Sequence, residues 1–71
     1  MKRVRLTKTI DRYPHFIAPA GATGTVRESS AELLRIHLDE HIPGAEDWDN
    51  EVCFYPEDGE EFTKPPIEPI G

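Results

Sequence analysis

Apolar and polar residues alternate in several short segments of this chain. Leu34, Ile36 and Leu38 occupy every second position of one segment, and Val52 and Phe54 do so in a later one. Such alternation is typical of a strand with one buried face. The pattern predicts five short strands, near residues 3–10, 25–28, 34–38, 51–55 and 60–64.

Glycine and proline residues mark the first connections between these strands. Gly21 and Gly24 lie three positions apart, directly before Thr25 and Val26. Glycine suits sharp turns and β-branched residues suit strands, so this stretch predicts a tight turn that leads into the second strand. Residues 11–18 include one proline and precede another, which predicts an ordered loop.

The later connections have their own turn signals. Residues 29–32 read as a hairpin loop, although Ser29 and Glu32 also match a capping box, and a helix over the following residues is the alternative. Residues 39–50 form an acidic loop with a possible helical turn at 45–48. Residues 56–59 have the composition of a turn.

Five short strands separated by turns predict an all-β fold, a small five-stranded barrel whose closure removes exposed strand edges. The barrel domain spans residues 1–64, and residues 65–71 form an extended Pro-rich C-terminal tail. The predicted core consists of Val4, Leu6, Ile17, Val26, Leu34, Ile36, Leu38, Trp48, Val52, Phe54 and Phe62.

The size and cysteine content of the chain exclude several classes of protein. A chain of 71 residues forms one small core and no deep active-site cavity. Cys53 is the single cysteine, which excludes an internal disulfide and a zinc site built on several thiolates. No apolar run suggests a signal peptide or a membrane span, and a cytoplasmic location without membrane contact is expected.

The formal net charge is −6, from 8 basic and 14 acidic residues. The basic residues concentrate in the first dozen positions, whereas residues 39–61 are strongly acidic. The overall field repels nucleic acid and favours basic partners. The alternative is that the acidic residues only keep a small domain soluble.

One group of side chains could bind a metal ion. His37, Asp39 and His41 are spaced two apart, so a continuous strand would place them on one face. The alternative is a solvated strand edge, and neither a metal nor another cofactor is expected. Paired acids in turns and a lone Cys53 give no catalytic signature, so the chain is predicted not to be an enzyme.

Trp48 lies between two aspartates beside a turn. One interpretation is a lid over the end of the core. The other is a binding hot spot, with Tyr13, Phe16 and Tyr55 nearby on the same surface. On that interpretation the acidic loop prefers a basic peptide, and the predicted partner-binding residues are Asp39, Glu40, His41, Glu46, Asp47, Trp48 and Asp49.

The first part of the chain resembles a known group of folds. Three segments occur in order within about the first 40 residues: Arg3-Val4-Arg5-Leu6, Pro19-Ala20-Gly21-Ala22-Thr23-Gly24-Thr25-Val26 and a strand that ends Ile36-His37-Leu38-Asp39. They are similar to SH3-like barrels of the KOW type and to small SH3-like proteins of bacteriophages and bacteria. The resemblance implies an SH3-like barrel, and KOW-type domains often contact RNA. The acidic loop at residues 39–50 has no counterpart in the KOW motif.

These observations give three functional hypotheses. The first is a small protein-binding module, an accessory or inhibitor protein encoded by a phage or mobile element, that acts through the acidic loop. The second is a nucleic-acid-binding module that uses Lys2, Arg3, Arg5, Lys8 and Arg12. The third is a metal-binding protein that uses His37, Asp39 and His41. The sequence does not determine the oligomeric state.

Overall fold

A computed structural model describes residues 2–70, so Met1 and Gly71, the outer ends of the predicted domain and tail, lie outside it. The chain is mostly β, as predicted. Its strands are β1 (Arg3–Leu6), β2 (Ile10–Arg12), β3 (Phe16–Ala18), β4 (Thr23–Ser29), β5 (Leu34–Leu38), β6 (Glu51–Phe54) and β7 (Ile67–Pro69). Two 3₁₀ turns, Glu46–Trp48 and Pro56–Asp58, and one helical turn, α1 (Glu60–Thr63), complete it.

Five strands form one antiparallel sheet in the order β6-β5-β4-β1-β7. The strands β2 and β3 form a separate hairpin. Within residues 2–70 the main sheet is not closed, because β6 and β7 each pair with one neighbour only. The predicted barrel closure is therefore not found, and β6 and β7 are the two edges of the sheet.

The prediction for residues 60–64 is wrong. Residues 60–63 form α1 instead of a strand, and the backbone amide of Lys64, which caps the helix, donates to the carbonyl of Glu60 at 2.7 Å. Phe62 is the one large apolar residue of this segment and packs half-buried against the core. A single apolar position cannot distinguish the period of a strand from that of a helix.

The C-terminal segment supplies the fifth strand of the main sheet. Leu6 pairs with Ile67 and Val4 with Pro69, so β7 lies along the outer side of β1. The amide of Thr7 also donates to the carbonyl of Pro66 at 2.8 Å. The segment is extended, as predicted, but it is an edge strand of the sheet. Proline lacks an amide donor and is tolerated at such an edge.

The first predicted strand and the loop after it also differ from the structure. The strand ends at Leu6, and Ile10 belongs to β2. The predicted loop at residues 11–18 belongs to the hairpin of β2 and β3, with a cis peptide bond before Pro14. The hairpin buries Phe16 and Ala18 and leaves Ile17 on the outer face. Three-residue strands are too short for their alternation to be recognised.

The hydrophobic core lies between the main sheet and the elements that cover it. The prediction named seven of the buried residues correctly, but Ile17 and Trp48 are 50% and 49% exposed and do not belong to the core. Val26 and Phe62 are half-buried at its edge. The buried hydrophobic residues are Val4, Leu6, Ile10, Phe16, Ala18, Leu34, Ile36, Leu38, Ile42, Ala45, Val52 and Phe54.

Gly21 and Gly24 have different roles. Gly21 has φ +92° and forms the predicted turn before β4. Gly24 lies inside β4, where a Cβ atom would stand 2.5 Å from the carbonyl oxygen of His37 on β5. Gly24 therefore permits close approach of two strands, which is a second reason for glycine in a strand.

The loop between β4 and β5 is a hairpin loop, as the alternation of residues 34–38 predicts. The amide of Ser30 donates to the carbonyl of Leu33 at 2.9 Å and closes it. The alternative of a helix that begins at Ser29 is wrong, because residues 34–38 pair with both β4 and β6.

Candidate binding surface

An apolar groove lies where the hairpin of β2 and β3, the strand β6 and the acidic loop meet. We call it the aromatic groove. Its volume is about 190 Å³, room for about one large side chain. Its lining residues are Arg12, His15, Phe16, Trp48, Glu51, Cys53 and Tyr55.

The acidic loop holds Trp48 in a defined position at one wall of the groove. Ile42 and Ala45 are buried and anchor the loop on the core. The amide of Trp48 donates to the carbonyl of Ala45 at 3.0 Å in the 3₁₀ turn. The indole meets the ring of His15 edge-to-face, with centroids 5.1 Å apart. Trp48 is thus fixed by the fold but half exposed, as an aromatic residue at a protein interface is.

Arg12 connects the hairpin to β6. Its Nη2 donates to the carbonyl oxygen of Cys53 at 3.3 Å, and its guanidinium lies 5.4 Å from the centroid of the Phe54 ring. Within residues 2–70, no carboxylate forms an ion pair with Arg12 under 4 Å. A cation on an aromatic face is favourable, and the contact orders this wall of the groove.

Cys53 and Tyr55 line the groove from β6 and from the residue after it. Cys53 is half-buried, as expected for a small apolar residue, and burial raises the pKa of its thiol. The pKa of Tyr55 is also raised, mainly by the neighbouring Cys53 and to a smaller extent by burial. Both side chains are therefore neutral at physiological pH. A protonated thiol is a poor nucleophile, so Cys53 offers contact area to a ligand rather than covalent chemistry.

The carboxylate of Asp39 is hydrogen-bonded to residues of the main sheet. Arg3 donates to both of its carboxylate oxygens, one at 2.8 Å, and the hydroxyl of Thr23 donates at 2.7 Å. The hydrogen bond from Arg3, and then that from Thr23, holds the pKa of Asp39 well below its usual range. Asp39 therefore ties the end of β5 to β1 and β4, and the structure does not bring it to the groove.

His41 and Glu46 brace the acidic loop from within. The Nε2 of His41 and a carboxylate oxygen of Glu46 are 2.7 Å apart. Backbone amides of Glu46 itself and of Gly44, with a smaller contribution from His41, lower the pKa of Glu46. Glu40 is exposed, and its carbonyl accepts from the side chain of Asn50 at 2.7 Å. These three predicted partner-binding residues contact their own loop.

Asp47 and Asp49 flank Trp48 and are exposed. No ion pair of either residue is present in the part of the chain that the structure describes. Of the seven predicted partner-binding residues, Trp48 therefore lines the groove, and Asp47 and Asp49 are its exposed neighbours in sequence.

The structure does not bring His37, Asp39 and His41, the alternative metal-binding group, together into one site. His37 faces Glu51 at 3.8 Å, Asp39 binds Arg3, and His41 contacts Glu46. Across residues 2–70, no group of three or more His, Cys, Asp or Glu side chains could hold a metal ion. The chain leaves the strand after Leu38, so the spacing of two no longer places these side chains on one face.

Phe16 and Tyr55 line the groove with Trp48, as the sequence suggested, but Tyr13 is 81% exposed and does not. Arg12 and His15 are groove residues that the sequence did not reveal. Their place depends on the hairpin of β2 and β3, and the prolines of that segment concealed its two strands.

The pairing of Arg3 with Asp39 makes stability depend on pH. A carboxyl group with a lowered folded-state pKa stabilises the fold above its unfolded value, here 3.8, and this contribution is lost as pH falls below that value. Asp39→Asn is therefore expected to lower the melting temperature at neutral pH and to flatten its fall with acid. Melting curves of both proteins between about pH 2 and pH 7 measure this. Parallel curves for the two proteins would contradict it.

No helix within residues 2–70 is both long enough and apolar enough to cross a membrane. Comparison of the chain with protein-family models, with curated proteins and with solved structures finds no match.

Proposed function

We propose that this chain is a small, non-enzymatic binding module that binds a basic segment of another protein in the aromatic groove. The observation that carries the proposal is Trp48, which is held on His15 at the wall of an apolar groove and is nevertheless 49% exposed. Aromatic residues ordered before binding cost little entropy on association and dominate binding energy.

The net charge and the carboxylates next to Trp48 in the sequence support a basic partner. Asp47 and Asp49 flank Trp48, and the chain carries a net charge of −6. Such a field accelerates the approach of a cationic partner and disfavours an anionic one. The same charge suits an accessory role in which the module covers a basic surface of its partner.

The architecture is compatible with a distant relation to SH3-like domains, which we include in the proposal. The main sheet has five antiparallel strands, and the hairpin of β2 and β3 is inserted between its strands β1 and β4. SH3-like domains often bind peptides through aromatic and acidic loops, and the groove has both components.

A nucleic-acid-binding function has less support. Three basic residues of the N-terminal segment already lie near carboxylates: Arg3 at Asp39, Arg5 at Glu68 and Lys8 at Glu61. A phosphate would have to displace these internal partners. Arg12, a fourth, is engaged at the groove by Cys53 and Phe54.

The test compares two aromatic variants against one probe. The probe is a short labelled peptide of alternating lysine and valine residues, with a glutamate and valine peptide as the charge control. Trp48→Ala is expected to weaken binding of the basic peptide at least about tenfold, since it removes the central aromatic contact. Fluorescence anisotropy titration at low and high salt measures this.

Tyr13→Ala is the matched control, because Tyr13 is an exposed aromatic residue that does not line the groove. This variant is expected to bind as the original chain does. Equal losses of peptide affinity in the two variants would contradict the proposal, as would equal affinity of the original chain for the acidic and the basic peptide.

A further inference from the structure

The strand β6 is an edge of the main sheet, with β5 on one side. In an antiparallel pair, successive residues point their backbone groups alternately toward and away from the partner strand. The amide of Leu38, the residue at the end of β5, donates to the carbonyl of Asn50. Counting in steps of two from Asn50, the backbone amides and carbonyls of Val52 and Phe54 also face β5. Glu51 and Cys53 therefore direct their amides and carbonyls outward.

The outward side of β6 has no strand on it within residues 2–70. One side-chain contact reaches it there, the donation from Arg12 Nη2 to the carbonyl of Cys53 at 3.3 Å. The carbonyl of Cys53 therefore accepts a donor that does not come from β5. An added strand would offer a backbone amide to the same carbonyl.

The opposite edge of the sheet is unsuited to strand addition. The strand β7 contains Pro69 and follows Pro65 and Pro66, which lack amide donors. Prolines are a known protection of sheet edges against pairing with other chains. The strand β6 has no proline between Glu51 and Phe54, so it is the edge that a partner can extend.

The aromatic groove lies alongside this open edge. Glu51, Cys53 and Tyr55 line it from β6 and the residue after it, and Trp48 and Phe16 line it from the other elements. A strand added to β6 would point every second side chain to the groove side. The volume of about 190 Å³ suits one large apolar side chain as an anchor.

The charges around the edge indicate the chemistry of the occupant. Asp47 and Asp49 lie just before β6 in the chain, and Glu57 and Asp58 lie just after it. A second copy of this chain, itself at −6, is disfavoured at such an edge. These four carboxylates outnumber the guanidinium of Arg12, which also lines the groove, so an extended segment with basic residues around an apolar anchor matches the edge in charge.

We infer that the partner segment binds as an additional strand on β6, displaces the Arg12 contact from the Cys53 carbonyl, and places one apolar side chain in the aromatic groove. The inference rests on the proposed function and specifies how binding occurs. Backbone hydrogen bonds along β6 provide affinity, and the groove and the flanking carboxylates provide selectivity.

The test separates backbone recognition from side-chain recognition. The lysine and valine peptide is compared with the same peptide N-methylated at every second residue, in two versions that methylate alternate positions. At least one methylated version is expected to bind about tenfold more weakly, because it cannot donate to the edge. Hydrogen exchange of the backbone amides of Glu51 and Cys53, measured by NMR, is expected to slow several-fold when the unmodified peptide binds.

Equal affinity of all three peptides, or unchanged exchange at Cys53 in the peptide complex, would overturn strand addition. If Trp48→Ala still weakened binding in that case, the proposed function would stand without it. Failure of the basic peptide to bind would overturn both. Concentration-dependent protection of Cys53 without peptide would identify a second copy as the occupant and would also overturn the inference.

Discussion

Gly44→Ala is expected to destabilise the fold by about 3–5 kcal/mol and to release the acidic loop from the hairpin of β2 and β3. Gly44 has φ +92°, a conformation that residues with a Cβ atom rarely adopt. A Cβ atom there would also collide with the carbonyl oxygen of His15. Backbone strain and a clash with backbone therefore act together at one position.

The consequence reaches the binding surface, because the approach of Gly44 to His15 also brings Trp48 onto the His15 ring. If the variant folds, its Trp48 fluorescence is expected to shift to longer wavelength as the indole becomes more hydrated. Urea unfolding followed by circular dichroism measures the loss of stability, and fluorescence emission measures the loop.

Gly21→Ala is the matched control. Gly21 also has φ +92°, but a Cβ atom there would meet no heavy atom within 4 Å. This variant is expected to lose about 1–2 kcal/mol from backbone strain alone. Equal losses at the two glycines would show that contact with His15 does not hold the loop.

The sequence predicted those strands in which apolar and polar residues alternate and the alternating apolar residues are buried. Leu34, Ile36 and Leu38 on β5 and Val52 and Phe54 on β6 all point into the core. These strands lie beside one another in the sheet, so each has a neighbour that reinforces its pattern. Local alternation and the final packing agree there, and the prediction was confirmed.

The elements that the sequence did not reveal depend on distant contacts. The strand β3 is three residues long and is recognisable only through its pairing with β2. The strand β7 includes Pro69 and forms because β1 offers an open side. Neither segment has a periodic pattern of its own, so a reading of local sequence assigned one to a loop and the other to a tail.

The candidate site was predictable only in part, because some of its contacts join residues that are far apart in the sequence. Trp48 between two aspartates is unusual enough in composition to identify the acidic loop. Its contact with His15 is a long-range contact that only the folded hairpin creates. Asp39 belongs to the same acidic stretch, yet its carboxylate is already paired with Arg3 from β1.

Asn50→Ala is expected to cost about 2–4 kcal/mol of stability and to weaken peptide binding through the loop that it organises. The Asn50 Oδ1 accepts from the amide of Ile42 at 2.8 Å, and its Nδ2 donates to the carbonyls of Leu38 and Glu40 at 3.1 and 2.7 Å. These bonds join both ends of the acidic loop. Alanine would leave the partly buried backbone groups without these partners.

The backbone of Asn50 adds a second cost, since its φ of +59° suits asparagine better than alanine. Two variants separate the contributions. Asn50→Gly keeps the backbone conformation accessible and removes the three hydrogen bonds, so it measures the side chain. Asp49→Ala measures the backbone, because Asp49 has φ +55° and no side-chain hydrogen bond within residues 2–70.

We expect Asn50→Gly to lose most of the stability that Asn50→Ala loses, and Asp49→Ala to lose about 1 kcal/mol. Urea unfolding of the three variants measures these differences, and amide exchange of Ile42 reports whether the loop opens locally. If Asn50→Gly were as stable as the original chain, the side-chain bonds would not hold the loop. Trp48 would then owe its position to the buried Ile42 and Ala45 and to contact with His15.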